Sequence, residues 1–240
     1  MNNVYTLDAR AVSLDIDRVL CALGYPTPEA ASAKVKNDML GIIEDTIDHA
    51  KPRAVVRLED VCFIQPRTVQ IINGPAFHGA LFAKAIAPAF KAALFALTIG
   101  QEISEWLKEL SARDIHIGFI ADAAASELVE SIADYFQNRL AEEVRAQNLF
   151  CGLRYCPGYC DWPIEELPHL LARLAPEKIG ISLTQGGMMT PIKSIAGLIG
   201  LGPDPAAINV NLCETCAKTD CKHRRIIEKT KKESNRAPNR

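Results

Sequence analysis

The sequence predicts a mixed α+β fold, and three observations carry the prediction. Helical and strand-like segments alternate along the chain without the regular spacing of βαβ units. Residues 92–98 (AALFALT) are a continuous apolar run of the kind found in a strand buried on both faces. Residues from about 122 to about 147 place Leu128, Ile132, Phe136 and Leu140 at helical spacing, with Glu130, Asp134, Asn138 and Glu142 on other faces. The length of 240 residues suits one large domain or two small ones. With 48% hydrophobic and 23% charged residues, the composition is that of a soluble globular protein.

Taken in order, residues 15–23 (DIDRVLCAL) form a short amphipathic helix ended by Gly24, and Pro26 and Pro28 block its continuation. Thr27-Pro28-Glu29 has the pattern of a second helix start: a cap, a proline at the first position and an acid in the first turn. Leu40, Ile43 and Ile47 line one side of that helix, and Pro52 lies past its end. Residues 54–58, 61–64 and 68–72 are short β-branched runs read as strands, with Asn73-Gly74 as a turn. Residues 76–99 are too interrupted for a membrane span, holding His78, Lys84, Pro88 and Lys91; they read as a buried helix followed by a buried strand. A helix over 101–110 precedes the long one, whose start is expected near Asp122. Beyond it, 163–174 reads as a helix, 178–183 as a strand, Gln185-Gly-Gly187 as a turn, and 194–201 as a glycine-punctuated strand able to pass close to a ligand. No repeat or low-complexity segment is present.

Residues 151–163 (CGLRYCPGYCDWP) stand out. Pro157 fixes one backbone angle and Gly158 permits a positive one, so Arg154 and Tyr159 are presented from a tight turn. A rigid loop bearing an arginine and aromatics is a binding surface more often than a spacer. The eight cysteines include Cys21 and Cys62 in apolar surroundings and a C-terminal group, Cys213, Cys216 and Cys221, followed by His223. No signal peptide is expected, since Met1 to Asp17 lacks an apolar stretch; the protein is expected in the cytoplasm with its thiols reduced. Clustered thiols then suggest metal or redox chemistry. Cys213, Cys216 and Cys221 have ligand spacing for zinc or an iron–sulfur cluster, with His223, Cys160 or Cys156 as a fourth ligand. From Lys222 to Arg240 eight basic residues face only Glu228 and Glu233, so this stretch carries +6 and the remainder −8. That run is a solvated tail or a dock for an acidic protein. Nucleic acid is not expected, because no aromatics are interleaved with the basic residues. No Gly-x-Ser-x-Gly, His-Glu-x-x-His or Gly-Lys-Ser/Thr loop occurs, so common hydrolase and P-loop chemistries are excluded.

The Arg154-Tyr-Cys-Pro-Gly-Tyr159 run resembles the S-adenosylmethionine-binding turn of the activation domain of cobalamin (vitamin B12)-dependent methionine synthase. The segments 121–127 (ADAAASE) and 188–197 (MMTPIKSIAG) fall in the family's order at similar spacing, and 92–202 as a whole looks like this domain. The resemblance is to the free-standing form, in which a separate polypeptide does the work of the synthase's last domain. It implies a largely antiparallel twisted sheet with flanking helices. The implied parts are an N-terminal segment at 1–75 packed on the main domain, an activation-domain core at 76–212 and the Cys-rich tail at 213–240.

The implied role is reactivation of an inert Co(II) corrinoid on a partner methionine synthase or corrinoid protein. S-adenosylmethionine gives the methyl group, and a flavodoxin or ferredoxin gives the electron. The chain would be an accessory of methyl transfer, and the corrinoid would stay on the partner. An alternative is a metal- or iron–sulfur-containing adaptor or electron carrier for a corrinoid protein, without methyl-donor binding.

The implied ligand residues are Arg154 for the methionine carboxylate, Tyr159 near the sulfonium or adenosine, and Tyr155, Cys156, Pro157 and Gly158 for backbone and shape. Gly197 would lie alongside the ligand. Two departures from the family pattern stand out. Asn148 occupies the position of an acid six residues before the arginine, and Leu198-Ile199 replaces aromatics after the later glycine. Asp122 or Glu127 is left to supply the missing carboxylate, unless it caps the long helix. Met188-Met189 reads as core.

Overall fold

The structure, a computed structural model, describes residues 2–208. Strand β1 (Asn3–Thr6) is followed by helix α1 (Ile16–Ala22), where the Asp15 carboxylate accepts the N–H groups of Asp17 and Arg18. Pro28–Ala30 makes only a 3-10 turn, because Thr27 offers no capping bond. Helix α2 (Ala33–His49) starts instead after Ser32, whose hydroxyl accepts the Val35 N–H at 3.3 Å. Its buried face is Met39, Ile42 and Thr46; Leu40, expected on the apolar side, is 55% exposed.

Two expected strands are one, β2 (Arg53–Gln65), because Glu59 and Asp60 stay extended opposite Ala92 and Lys91. Strands β3 (Thr68–Ile71) and β4 (Ala76–His78) follow, then helix α3 (Ala80–Ile86), strand β5 (Lys91–Thr98) and helix α4 (Gln101–Arg113). The long helix α5 (Ile115–Arg145) begins before the expected Asp122, with the Asp114 carboxylate accepting from His116 and Ile117. Strand β6 (Phe150–Tyr155) leads to helix α6 (Leu167–Leu171), the hairpin β7 (Ser182–Leu183) and β8 (Met189–Thr190), strand β9 (Ser194–Gly202) and the short α7 (Pro205–Ile208). The expected strand over 178–183 shrinks to β7, since Ala175 and Gly180 take left-handed backbone on either side of a 3-10 turn.

Seven strands form one antiparallel sheet in the order β4-β3-β2-β5-β9-β6, with β1 along the first half of β2. Strands β2 and β3 lie before residue 75 and β4 after it, so this one sheet spans that boundary. Central β5 is apolar from Ala92 to Leu97 because both of its faces are covered there. Ala93, Phe95 and Leu97 pack with Leu128, Ile132, Phe136 and Leu140 of α5; Leu94 and Ala96 pack on the other side with Phe77, Phe82, Trp162 and Leu170. Strand β6 pairs with β9 from Phe150–Gly202 to Tyr155–Leu198 and then leaves it, so Ser194–Gly197 keeps β5 as neighbour on one side only among the described residues. Among the described residues no helix is long and apolar enough to cross a membrane.

Candidate functional site

Where β6 leaves the sheet, the chain turns on Pro157 and Gly158. The Tyr159 N–H donates to the Cys156 carbonyl at 2.9 Å, and Gly158 has φ +93°, a type II turn with proline and glycine in its middle positions. The Gly158 N–H reaches the Trp162 carbonyl at 2.8 Å, and the Trp162 N–H reaches Tyr159 at 3.0 Å, closing the loop on itself. Asp161 fastens the loop to α3: its carboxylate accepts the N–H groups of Leu81 at 2.9 Å and Phe82 at 3.1 Å, where a helix start favours negative charge. Trp162 is buried and stacked on Phe82 at 4.1 Å. It donates its indole N–H to Glu166 at 2.8 Å, and the same carboxylate accepts the His78 N–H. The turn is thus rigid through its own bonds and through α3.

The two residues before it part to opposite faces of the sheet. Tyr155 is buried beside Phe82, with ring centres 6.2 Å apart. Cys156 is also buried, and burial pushes its thiol up to about 12, so it contributes shape as a neutral group. Tyr159 stays partly exposed. Arg154 faces α5. Its Nη1 donates to Asp134 at 2.5 Å and to Gln137 Oε1 at 3.3 Å, and its Nη2 to Glu130 at 3.1 Å. Burial works against the guanidinium charge, but the Asp134 and Glu130 carboxylates outweigh it and raise its pKa. Among the described residues, Nε–H and one Nη2–H have no acceptor, so part of the fork remains for a further anion. Two carboxylates around one guanidinium leave this group with a formal surplus of negative charge.

Asp122 does not join this group. It is no helix cap, since α5 starts at Ile115; it pairs with Lys193 Nζ at 2.7 Å, two turns of helix away from Glu130. Lys193 also donates to the Asp122 carbonyl at 3.1 Å and Ser126 Oγ at 2.8 Å. Glu127 faces away as well, toward Arg18 Nε at 3.1 Å; burial, opposed by Arg18, raises its carboxyl to about 7.

Gly197 abuts the protein's own chain on its Cβ side. A Cβ there would stand 2.3 Å from the Tyr155 carbonyl oxygen and 3.1 Å from Cys156 Sγ, so the glycine serves the departure of β6. Met188, expected in the core, is 63% exposed, whereas Met189 packs against it. Cys213, Cys216, Cys221 and His223 lie outside the described residues. The residues that sequence reasoning missed are Glu130, Asp134 and Gln137. Their signal was present as an acidic pair one turn apart on the helix that delivers the chain to the arginine. A cavity of about 420 Å³ lies elsewhere, lined by Arg10, Lys51, Arg53 and Glu102 among others; it does not reach the turn, and the chemistry of the turn makes it the better candidate.

Residues 86–225 match the family described as "Vitamin B12 dependent methionine synthase, activation domain". This chain belongs to that family. The match covers α5, the Arg154 turn and the cysteines of the tail. The activation-domain chain is also similar to the methionine synthase of Mycobacterium tuberculosis (strain ATCC 25618 / H37Rv), with 24% identity over 134 residues, which is 48% of this chain but only 11% of that protein. Among solved structures, its fold matches the crystal structure of the MetH reactivation domain bound to AdoHcy at a TM-score of 0.66. That likeness covers 85% of this chain and 79% of the other at 17% identity, and it shows the shared fold.

Proposed function

We propose that this chain reactivates an inert Co(II) corrinoid on a partner protein by presenting S-adenosylmethionine to it. The partner is a cobalamin-dependent methionine synthase or another corrinoid protein, and a flavodoxin or ferredoxin supplies the electron. Family membership supports the general role. The observation that carries the methyl-donor site is Arg154, held by Glu130 and Asp134 beside the Pro157-Gly158 turn with N–H groups to spare. A methionine head fits it: the carboxylate takes the unclaimed donors of Arg154, and the ammonium meets Glu130 or Asp134, which takes over from the acid that Asn148 replaces. The surplus negative charge favours the cationic sulfonium of the donor over the neutral thioether left after transfer. AdoHcy bound to the structural relative supports a ligand of this class.

In this reading, reduction of the partner's cobalt is made irreversible by methyl transfer from the sulfonium, and S-adenosylhomocysteine departs. The chain's own residues orient the donor: Arg154 and the two acids hold the head, and Tyr159 offers a ring face to positive charge. Two measurements test it. Calorimetry with S-adenosylmethionine is expected to give heat that disappears in Arg154→Ala. Mixing the protein with a Co(II) corrinoid protein, a reductant and S-adenosylmethionine is expected to give the methylated-corrinoid spectrum. Heat unchanged by the substitution removes Arg154 from the site.

A further inference from the structure

We propose that Gln137 of α5 is the positioning residue of the donor site. One end of its amide holds the register shift in β6 that turns Arg154 toward α5, and the other end holds the guanidinium itself. The inference rests on the reactivation reading and assigns to Gln137 a role exercised through Arg154.

Cys151 pairs with Leu201 and Arg154 with Ile199, so β6 takes three steps where β9 takes two. The extra residue makes a β-bulge at Gly152-Leu153, and a shift of one residue swaps the faces of everything after it. Before the bulge, Cys151 packs on the α5 side with Leu201. Gly152 lies toward the other side, where a Cβ would stand 2.6 Å from the Ile208 carbonyl oxygen. In unbroken alternation Leu153 would lie opposite Ile199 and face α5. Arg154 would then take the place beside Phe82 that Tyr155 now fills, out of reach of Glu130 and Asp134. One inserted residue therefore decides whether the arginine meets its acids.

A bulge disrupts the ladder and leaves backbone groups in need of other partners. Gln137 supplies one. Its Nε2 donates to the Gly152 carbonyl at 2.8 Å, while its Oε1 accepts from Arg154 Nη1 at 3.3 Å. A planar amide carries donor and acceptor in a fixed relation, so the bulge and the guanidinium are held in register with each other. Glu130, Asp134 and Gln137 follow one another at helical spacing, so the partners of Arg154 form a single row on α5. Gln137 occupies the second Nη1 hydrogen with a neutral oxygen. Without it, nothing opposes a two-bond fork between the guanidinium and one carboxylate, which would use up a donor now left for the ligand.

The test uses full-length protein with isotope-labelled arginine, followed by NMR. An Arg154 side chain held by three partners should give separate, slowly rotating Nη resonances, identified by their absence from Arg154→Lys. Gln137→Met keeps the bulk and removes both bonds. In it these resonances should merge, and S-adenosylmethionine affinity by calorimetry should fall about tenfold. Gln137→Lys keeps a donor for the Gly152 carbonyl but offers Arg154 no acceptor. Both losses should persist in it, whereas a merely structural role would be rescued. Resonances or affinity retained in Gln137→Met overturn the proposal, as does rescue by Gln137→Lys. If Gln137→Met does not fold, the Gln137→Lys resonances decide. Unsubstituted protein that gives no heat with S-adenosylmethionine fails the reactivation reading alone, and the Arg154 resonances still decide what aims the guanidinium.

Discussion

Helix α5 meets a cation from the sheet side at two stations, and the two are built differently. At Lys193 every ammonium hydrogen has an acceptor, in Asp122 Oδ1, the Asp122 carbonyl and Ser126 Oγ. At Arg154 two carboxylates and an amide take three of five donors and leave the rest. A saturated cation is a staple, whereas an unsaturated one with surplus negative charge around it suits the zwitterion that the proposed function assigns to it. The difference lies in the count of partners, since both side chains are largely buried.

Either station can be taken apart by substitution. The largest effect is expected from Arg154→Ala, which removes charge-assisted bonds worth about 3 kcal/mol. S-adenosylmethionine affinity should fall about a hundredfold by calorimetry, and Arg154→Lys should recover only part of it. Lys193→Met should act on stability instead. It is expected to cost about 2 kcal/mol in urea unfolding, discounted because Asp122 is half-exposed, while leaving ligand affinity within about threefold.

Glu127 sharpens the contrast from the other face of the same helix. Its carboxyl is raised from 4.5 to about 7, chiefly by burial, so the folded state binds the proton more tightly than the unfolded chain. Its contribution is therefore present below pH 4.5 and lost as pH rises toward 7. Glu127→Gln should flatten that part of the stability–pH curve by on the order of 2 kcal/mol. The smallest effect is expected from Asp134→Asn, since Asp134 is half-exposed. A few-fold loss of S-adenosylmethionine affinity, shrinking as salt is added, would fit a contribution of about 1 kcal/mol. An equal loss for S-adenosylhomocysteine would show that the carboxylate does not sense the sulfonium.

The long helix and the central strand were legible because each buries a regular set of side chains: Leu128, Ile132, Phe136 and Leu140 every turn, and 92–98 on both faces. The first two turns of α5 were not. Ile115 is 82% and Phe119 59% exposed, so apolar residues there do not mark the buried face, and Gly118 weakens the helical signal. That glycine has a packing reason, because a Cβ would come within 2.4 Å of Ser111 Oγ. At the site, the arginine, proline, glycine and tyrosine were visible as a motif. Which acid meets the arginine was not, because Glu130 and Asp134 come from a residue separation of 24 and 20, and only the fold of β6 back along α5 closes that gap. Gly197 was legible as a place of close approach, but not that the Tyr155 carbonyl and Cys156 fill the space a side chain would take.

Burial of Trp162 within the loop that bears Pro157 and Gly158 has a practical side. The chain holds two tryptophans; the other, Trp106, stacks on His49 at 4.7 Å in the α4 layer. One indole therefore sits in the loop that follows the candidate receptor and the other in the α4 layer, which gives the protein a built-in optical gauge with its own internal reference. Fluorescence lost or shifted on titration, and surviving Trp106→Phe but not Trp162→Phe, would report occupancy of the loop without any added label.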